Sequence, residues 1–283
     1  MIINSTPLEP VPLGSRTVLV KREDLCTPSV GPTFSKARGV YAHMANRPEP
    51  IIGVLDTLHS KAGWCVSYFG RPLGKRVINF WPRFKRDPAD AELPRRQQQI
   101  AQAFGATMVE LKAGMSAVLY NQAKKMLRES HGADAYMMPN ALKLPESITE
   151  NAAEVARTAG LPDLAHLVIS ISSGTVASGV LRGLANEGLL DRYTIWLHQG
   201  YDRPEGSVRE YIGRMAQLSD HGLRNVRLIN EGYSYADPAP RGASAPFPCN
   251  PYYDLKAWHW LSKEISGERF ADGRPIVFWN IGD

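Results

Sequence analysis

What most constrains this chain is the order of its apolar segments. Short β-rich runs at Thr17–Lys21 (TVLVK), Ile51–Leu55, Arg76–Trp81 (RVINFW), Thr107–Leu111 and Leu167–Ile171 (LVISI) are separated by stretches long enough for helices. Glu92–Phe104, Ala117–Arg128 and Ser147–Ala159 carry helical periodicity, and Ser147 and Glu150 have capping-box spacing. A helix between two apolar strands returns the chain to the start of a parallel neighbour. The alternation therefore predicts an α/β fold with open, mostly parallel sheets and helices on both faces. Ligands bind such sheets at the carboxyl ends of the strands, so the loops that follow strands are where chemistry is expected.

Composition narrows the class. With 283 residues, 43% apolar and 22% charged, the chain has material for one large or two modest domains and is not disordered, collagen-like or coiled coil. No apolar run approaches a bilayer span, and Met1–Pro10 lacks the basic and apolar regions of a signal peptide. A soluble, cytoplasmic protein without a membrane partner is expected. Cys26, Cys65 and Cys249 are scattered and odd in number, which suggests buried thiols and neither a disulfide framework nor a metal cluster. Between Arg71 and Arg96 eight basic residues face three acidic ones, an excess equal to the net charge of +5 of the whole chain. A run of this kind is either a solvated surface or an anion-binding face. Asp202–Glu205 and Ala236–Pro248 are rich in Pro and Gly and read as surface loops, the second a candidate cover for a site.

Three segments could carry chemistry. In Val20–Val40 a strand ends in charged residues, a turn-rich loop follows, and Lys36 opens a helix. The positive end of a helix dipole lowers the pKa of an amine placed there, which suits attack on a carbonyl. In Ile169–Leu184 an apolar strand runs through Ser172, Ser173, Gly174 and Thr175 into a helix. Free N–H groups and hydroxyls at a helix start make a cradle for a phosphate monoester, although the loop is neither a Walker loop nor a dinucleotide fingerprint. The plain structural alternative is a small-residue turn that lets strand and helix pack closely. In Pro248–Trp258, Tyr253, Asp254 and Lys256 cluster behind the Pro/Gly-rich loop. There Asp254 is either a helix cap or the partner of a cationic ring.

Taken in order, the segments resemble the fold type II pyridoxal-phosphate enzymes, the tryptophan synthase β-subunit family, and most of all its 1-aminocyclopropane-1-carboxylate deaminase and D-cysteine desulfhydrase branch. Thr6-Pro7-Leu8 with Val20–Leu25 is similar to the family's opening, Phe34–Gly39 to the segment with the cofactor-bearing lysine, and Ser172–Thr175 to its phosphate loop. Asn250–Lys256 resembles the branch's late motif, and Asn280-Ile281-Gly282 falls where its last strand ends. The resemblance implies two α/β domains, a large one from residues 1–39 and 144–283 and a small one from 40–143, with pyridoxal 5'-phosphate in the cleft between them. It implies Lys36, Tyr253 and Asp254 as catalytic residues. Lys36, Ser60, Ser172, Ser173, Gly174, Thr175 and Asp254 would bind the cofactor, with Asp254 keeping the ring nitrogen protonated. Homodimers are common in the family and are an assembly that the resemblance allows.

The substrate is less constrained. Relatives place a Ser/Asn-containing loop over the cofactor after the second strand, and here that stretch is Asp56–Gly63, without asparagine. Ser60 or His59 takes the ring-contacting place, and Thr57, His59 and Lys61 are the substrate-binding candidates; His59 reads equally as a structural histidine and Lys61 as a solvated one. The first expectation is a lyase acting at the α-carbon of a small free amino acid. The second comes from Arg83, Lys85 and Arg86 interleaved with Phe80, Trp81 and Phe84, a mixture of charge and stacking surface that suits nucleic acid. It is a decarboxylase or lyase acting on an amino acid attached to a DNA base, as in bacteriophage thymine hypermodification. The third is a non-catalytic pyridoxal-phosphate binder.

Overall fold

In a computed structural model, the structure describes residues 3–28, 30–57, 59–83, 92–112 and 114–283. The chain divides into two units, residues 1–38 with 147–283, and residues 39–146.

The larger unit is built on six strands, β1 (Leu8–Leu13), β2 (Arg16–Arg22), β7 (Ala165–Ile171), β8 (Tyr193–Gln199), β9 (Val226–Ile229) and β10 (Ile276–Asn280), in the order β1-β2-β10-β7-β8-β9. All pairs are parallel except the β1–β2 hairpin. β7 and β10 are buried along their whole length, which is why they are mostly apolar and do not alternate apolar with polar residues. Helices α5 (Pro145–Arg157), α6 (Thr175–Asn186), α7 (Glu205–Ala216) and α8 (Asp254–Glu264) belong to the same region of the chain. One face of the sheet forms a core with Val176, Val180, Leu184, Val208 and Ile212 from α6 and α7. The other packs Val18, Val20, Val168 and Phe278 against Trp258 and Leu261 of α8.

The smaller unit has four parallel strands, β3 (Ile51–Leu55), β4 (Arg76–Pro82), β5 (Thr107–Leu111) and β6 (Ala135–Met137), in the order β5-β4-β3-β6. Its helices are α2 (Ala62–Gly70), α3 (Glu92–Ala103) and α4 (Ser116–His131), while α1 (Lys36–Ala45) begins in one unit and ends in the other. A Cβ on Gly53 would lie 2.5 Å from Leu127, so β3 and α4 touch only because that residue is glycine. The expected α/β architecture of two mostly parallel sheets is present. Among the described residues no helix is long and apolar enough to cross a membrane.

One expectation needs correction. α5 starts at Pro145, two residues before Ser147, so Ser147 lies inside the first turn and its hydroxyl is buried without a hydrogen-bond partner. Proline at a first helical position lacks only an N–H that the helix would leave orphaned, and it sets the start in place of the capping box.

Charged groups tie the larger unit together from within. Lys21, Glu23, Arg38 and Glu154 are all buried. Arg38 binds Glu23 through Nε (2.9 Å) and Nη2 (3.0 Å) and Glu154 through Nη1 (3.2 Å). Lys21 Nζ lies 2.7 Å from Glu154 and donates to the Thr6 carbonyl at 2.6 Å. Burial opposes ionisation of Glu154, yet Arg38 and Lys21 hold its carboxyl below the usual range. Replacing Glu154 with Ala would leave two buried cations short of a partner, with an expected loss of about 3–5 kcal/mol in urea unfolding. A loss below about 1 kcal/mol, the size typical of surface pairs, would show that the network does not hold the unit.

Candidate active site

The strand order reverses between β7 and β10, which places a crevice at their carboxyl ends. Three chain segments converge there. The first is the loop that leads to Lys36, which is clasped by the residues following β10. Ser35 N donates to Ile281 O (2.8 Å), Asp283 N to Thr33 O (3.0 Å), and Phe34 bridges Gly282. Gly282 has φ +147°, and a Cβ there would lie 2.1 Å from Thr33 O, so no other residue fits the clasp. Lys36 is thereby the first residue of α1, with its Nζ 3.1 Å from Ser173 Oγ.

The second segment is Ser172–Thr175. Gly174, at φ +86°, is the N-cap of α6 and brings no capping side chain of its own, while Ser173 Oγ accepts from Thr175 N at 3.4 Å. Ser173 Oγ lies 3.2 Å from Thr175 Oγ1, which lies 3.2 Å from the Tyr211 hydroxyl. Arg203 Nη1 donates to Ser172 O at 2.5 Å. Hydroxyls and open backbone N–H groups at the positive end of a twelve-residue helix are the donors that a phosphate monoester needs. Close packing, the plain alternative for this stretch, is present as well: a Cβ on Gly174 would lie 3.0 Å from the Tyr211 ring, and one on Gly179 or Gly183 within 2.8 Å of atoms of α5.

The third segment is Tyr253-Asp254 at the start of α8. Asp254 is 1% exposed, and its Oδ1 accepts from Ser170 Oγ (2.8 Å) and Ile281 N (3.1 Å). Burial pushes this carboxyl up to about 7, against the pull of those hydrogen bonds. Ile281 thus accepts from Ser35, next to Lys36, on its carbonyl oxygen and donates to Asp254 from its N–H, through the two successive peptide groups that flank its Cα. Burial also raises the Tyr253 phenol, on which the neighbouring Tyr235 and Ser172 act in opposite directions. Lys256, one turn into α8 and fully buried, donates to Gly200 O at 2.6 Å and is lowered to about 8 by burial. A Cβ on Gly200 would lie 2.6 Å from the Tyr253 ring.

In the smaller unit the order reverses at β3, and the loop after β3 carries the remaining candidates. His59 and Lys61 are buried, with Lys61 Nζ 5.3 Å from the Trp64 ring centroid, while Thr57 and Ser60 are half-buried. Ser60 Oγ accepts from Ala62 N (3.0 Å) at the start of α2. Asp56, which sequence reasoning did not single out, is fully buried and accepts from Gly63 N (2.9 Å) and Asn79 Nδ2 (2.8 Å). Burial raises it to about 6. The partner of Asp56 thus comes from β4, beyond the reach of a local motif. Arg83 is exposed and pairs with Glu110 at 3.1 Å; Lys85 and Arg86 lie outside the described residues.

The larger unit thus offers an amine, a hydroxyl-lined helix start and a buried carboxylate, which match in kind the aldehyde, phosphate and ring nitrogen of pyridoxal phosphate. A model of the family described as pyridoxal-phosphate dependent enzyme matches residues 1–205. This chain belongs to that family. Its cofactor is pyridoxal phosphate. The chain is 60% identical, over the full length of both proteins, to a glycyl-dTMP PLP-dependent decarboxylase of Pseudomonas phage M6. Among solved structures it resembles an ACC deaminase homologue (TM-score 0.74, 17% identity, 99% of this chain and 90% of the other). It also resembles a threonine deaminase isoform from Solanum lycopersicum (TM-score 0.67, 16% identity, 99% and 84%). The family's fold, expected from the motifs, is the fold observed.

The raised carboxyl of Asp254 has a consequence for stability. A group whose pKa is higher in the folded than in the unfolded chain binds its proton more tightly when folded, so stability falls as pH rises from the ordinary carboxylate range to about 7. Asp254→Asn should flatten that fall in cofactor-free protein, measured by urea unfolding across pH. An unchanged pH profile would place the proton elsewhere.

Proposed function

We propose that this protein is a pyridoxal-phosphate dependent decarboxylase acting on an amino acid, glycyl in the first instance, carried by a thymine nucleotide in DNA. The observation that carries the reading is the 60% identity, without truncation on either side, to a phage enzyme whose name states that substrate and reaction. Of the two enzymatic expectations from the sequence, the DNA-linked substrate is thus favoured over a free small amino acid. The deaminase-like structures are too distant in sequence to speak for a substrate, and retention of both Lys36 and Asp254 argues against a non-catalytic binder.

When bound, the cofactor supplies an aldehyde that condenses with a primary amine and a ring that accepts the electrons released as a bond at the adjacent carbon breaks. In this reading Lys36 holds the aldehyde, and Ser172, Ser173, Gly174 and Thr175 hold the phosphate at the start of α6. Asp254 faces the ring nitrogen; its charge, costly in a buried site, is balanced once it lies against a protonated ring. The carbon–carboxylate bond breaks, its electron pair stays on the α-carbon, and one proton is consumed for each carbon dioxide released. Lys36, once the substrate's amine has displaced it from the aldehyde, would be the residue that delivers the proton, with Tyr253 as a second acid. Thr57, His59, Ser60 and Lys61 are assigned to the substrate and the ring face, and Arg83, Lys85 and Arg86 to the DNA backbone.

The test is release of carbon dioxide from an oligonucleotide bearing one glycyl-modified thymine, with ammonia release from D-cysteine, serine and 1-aminocyclopropane-1-carboxylate measured in parallel. The reading expects turnover of the oligonucleotide alone. Lys36→Ala should abolish it together with borohydride trapping of the cofactor on the protein. Ammonia from a free amino acid with none of the DNA reaction would overturn the assignment. For the basic segment, replacing Arg83, Lys85 and Arg86 with Ala should flatten the salt dependence of DNA binding by about 0.7–0.9 in logarithmic slope for each residue that meets a phosphate. An unchanged slope removes that segment from the interface.

A further inference from the structure

Tyr253 is one of several tyrosines on the loops at the carboxyl ends of β8 and β9. Tyr201 follows Gly200 directly after β8, and Tyr235 lies beyond β9. Their rings meet edge to face, with centroids 5.2 Å apart and planes at 86°. Tyr253 has both Tyr235 and Ser172 as neighbours that act on its phenol, so a run of adjacent groups leads from the hydroxyl-lined loop to the aromatic pair. At its outer end Tyr235 is 39% exposed.

The loops beneath the pair are fastened to one another. Asp202 N donates to Tyr233 O (2.7 Å), Asn230 Nδ2 to Asp202 Oδ1 (2.7 Å), Ser234 N to Asp237 Oδ2 (2.6 Å) and Ala239 N to Pro251 O (2.7 Å). In an edge-to-face pair, the ring that presents its edge has neither face covered by its partner. An aromatic surface already ordered in this way can accept a planar ring with little further loss of conformational freedom.

We propose that Tyr201 and Tyr235 form a stacking platform for the pyrimidine base that carries the amino acid. The base, and not the amino acid alone, is then what the site selects. This inference rests on the substrate class given under Proposed function and assigns the part of the molecule that recognises it.

The experiment uses the holoenzyme and a single-stranded oligonucleotide with one glycyl-modified thymine. Tyr201→Leu and Tyr235→Leu should each raise KM about 5- to 150-fold, the span of losing one base–aromatic stack, with a smaller change in kcat, and Tyr201→Phe should restore KM. Anisotropy of the labelled oligonucleotide should report the same loss of affinity. A measurement needing no variant compares the substrate with its 5,6-dihydrothymine counterpart, whose puckered ring cannot stack; the wild-type enzyme should discriminate against it by tenfold or more. Wild-type turnover with unchanged KM in both Leu variants, or equal use of the saturated base, overturns the platform and leaves the proposed function standing. Absence of wild-type turnover overturns the proposed function itself.

Discussion

The alternating charges of Lys21, Glu154, Arg38 and Glu23 are the constraint on which the larger unit depends. Each is withdrawn from water, and each is tolerable only because a neighbour of opposite sign lies within hydrogen-bonding distance. The four come from β2, the turn after it, α1 and α5, so the network is satisfied only when those elements are in register. Arg38 lies two residues after Lys36 on the same helix. The ion pairs that stabilise the fold therefore also fix where the Lys36 side chain emerges, in a place where an apolar cluster of equal volume would fix the packing but not the rotation of the helix.

The strands that alternate with helical segments were the legible part of the fold. β2, β3, β4, β5 and β7 are apolar runs between helical segments, and the alternation of periods states the architecture. β1 was hidden by Pro10 and Pro12, which an antiparallel edge strand accommodates and a central one would not. β8 mixes Thr194, His198 and Gln199 into its apolar residues; His198 is buried because Glu231, thirty-three positions away, receives its Nε2 at 3.0 Å. Periodicity cannot register a partner so distant.

The same division holds at the site. Lys36 and the Ser172–Thr175 loop stand where strand gives way to helix, a junction that local sequence displays. The coupling of Asp254 to the Lys36 segment does not lie in any motif, because it passes through the backbone N–H and C=O of a single residue, Ile281. Asn79 against Asp56 is likewise a product of strand pairing, with β4 set beside β3. Motif reading finds groups that act at a helix end and misses groups that orient them from a neighbouring strand.

The position of β10 bears on how the chain reaches this state. It is the last strand of the larger sheet to leave the ribosome, yet it lies in the middle, between β2 and β7. Until it is made, those two strands keep open edges, and the loop that ends in Lys36 has nothing to dock on. The pairing of β2 with β10 joins residues some 250 positions apart, an arrangement that delays closure of the sheet. The smaller unit, by contrast, draws all its strands from one continuous stretch and can collapse while synthesis continues. The segment that carries Lys36 therefore gains its docking partner only once the strand at the middle of the sheet has been made.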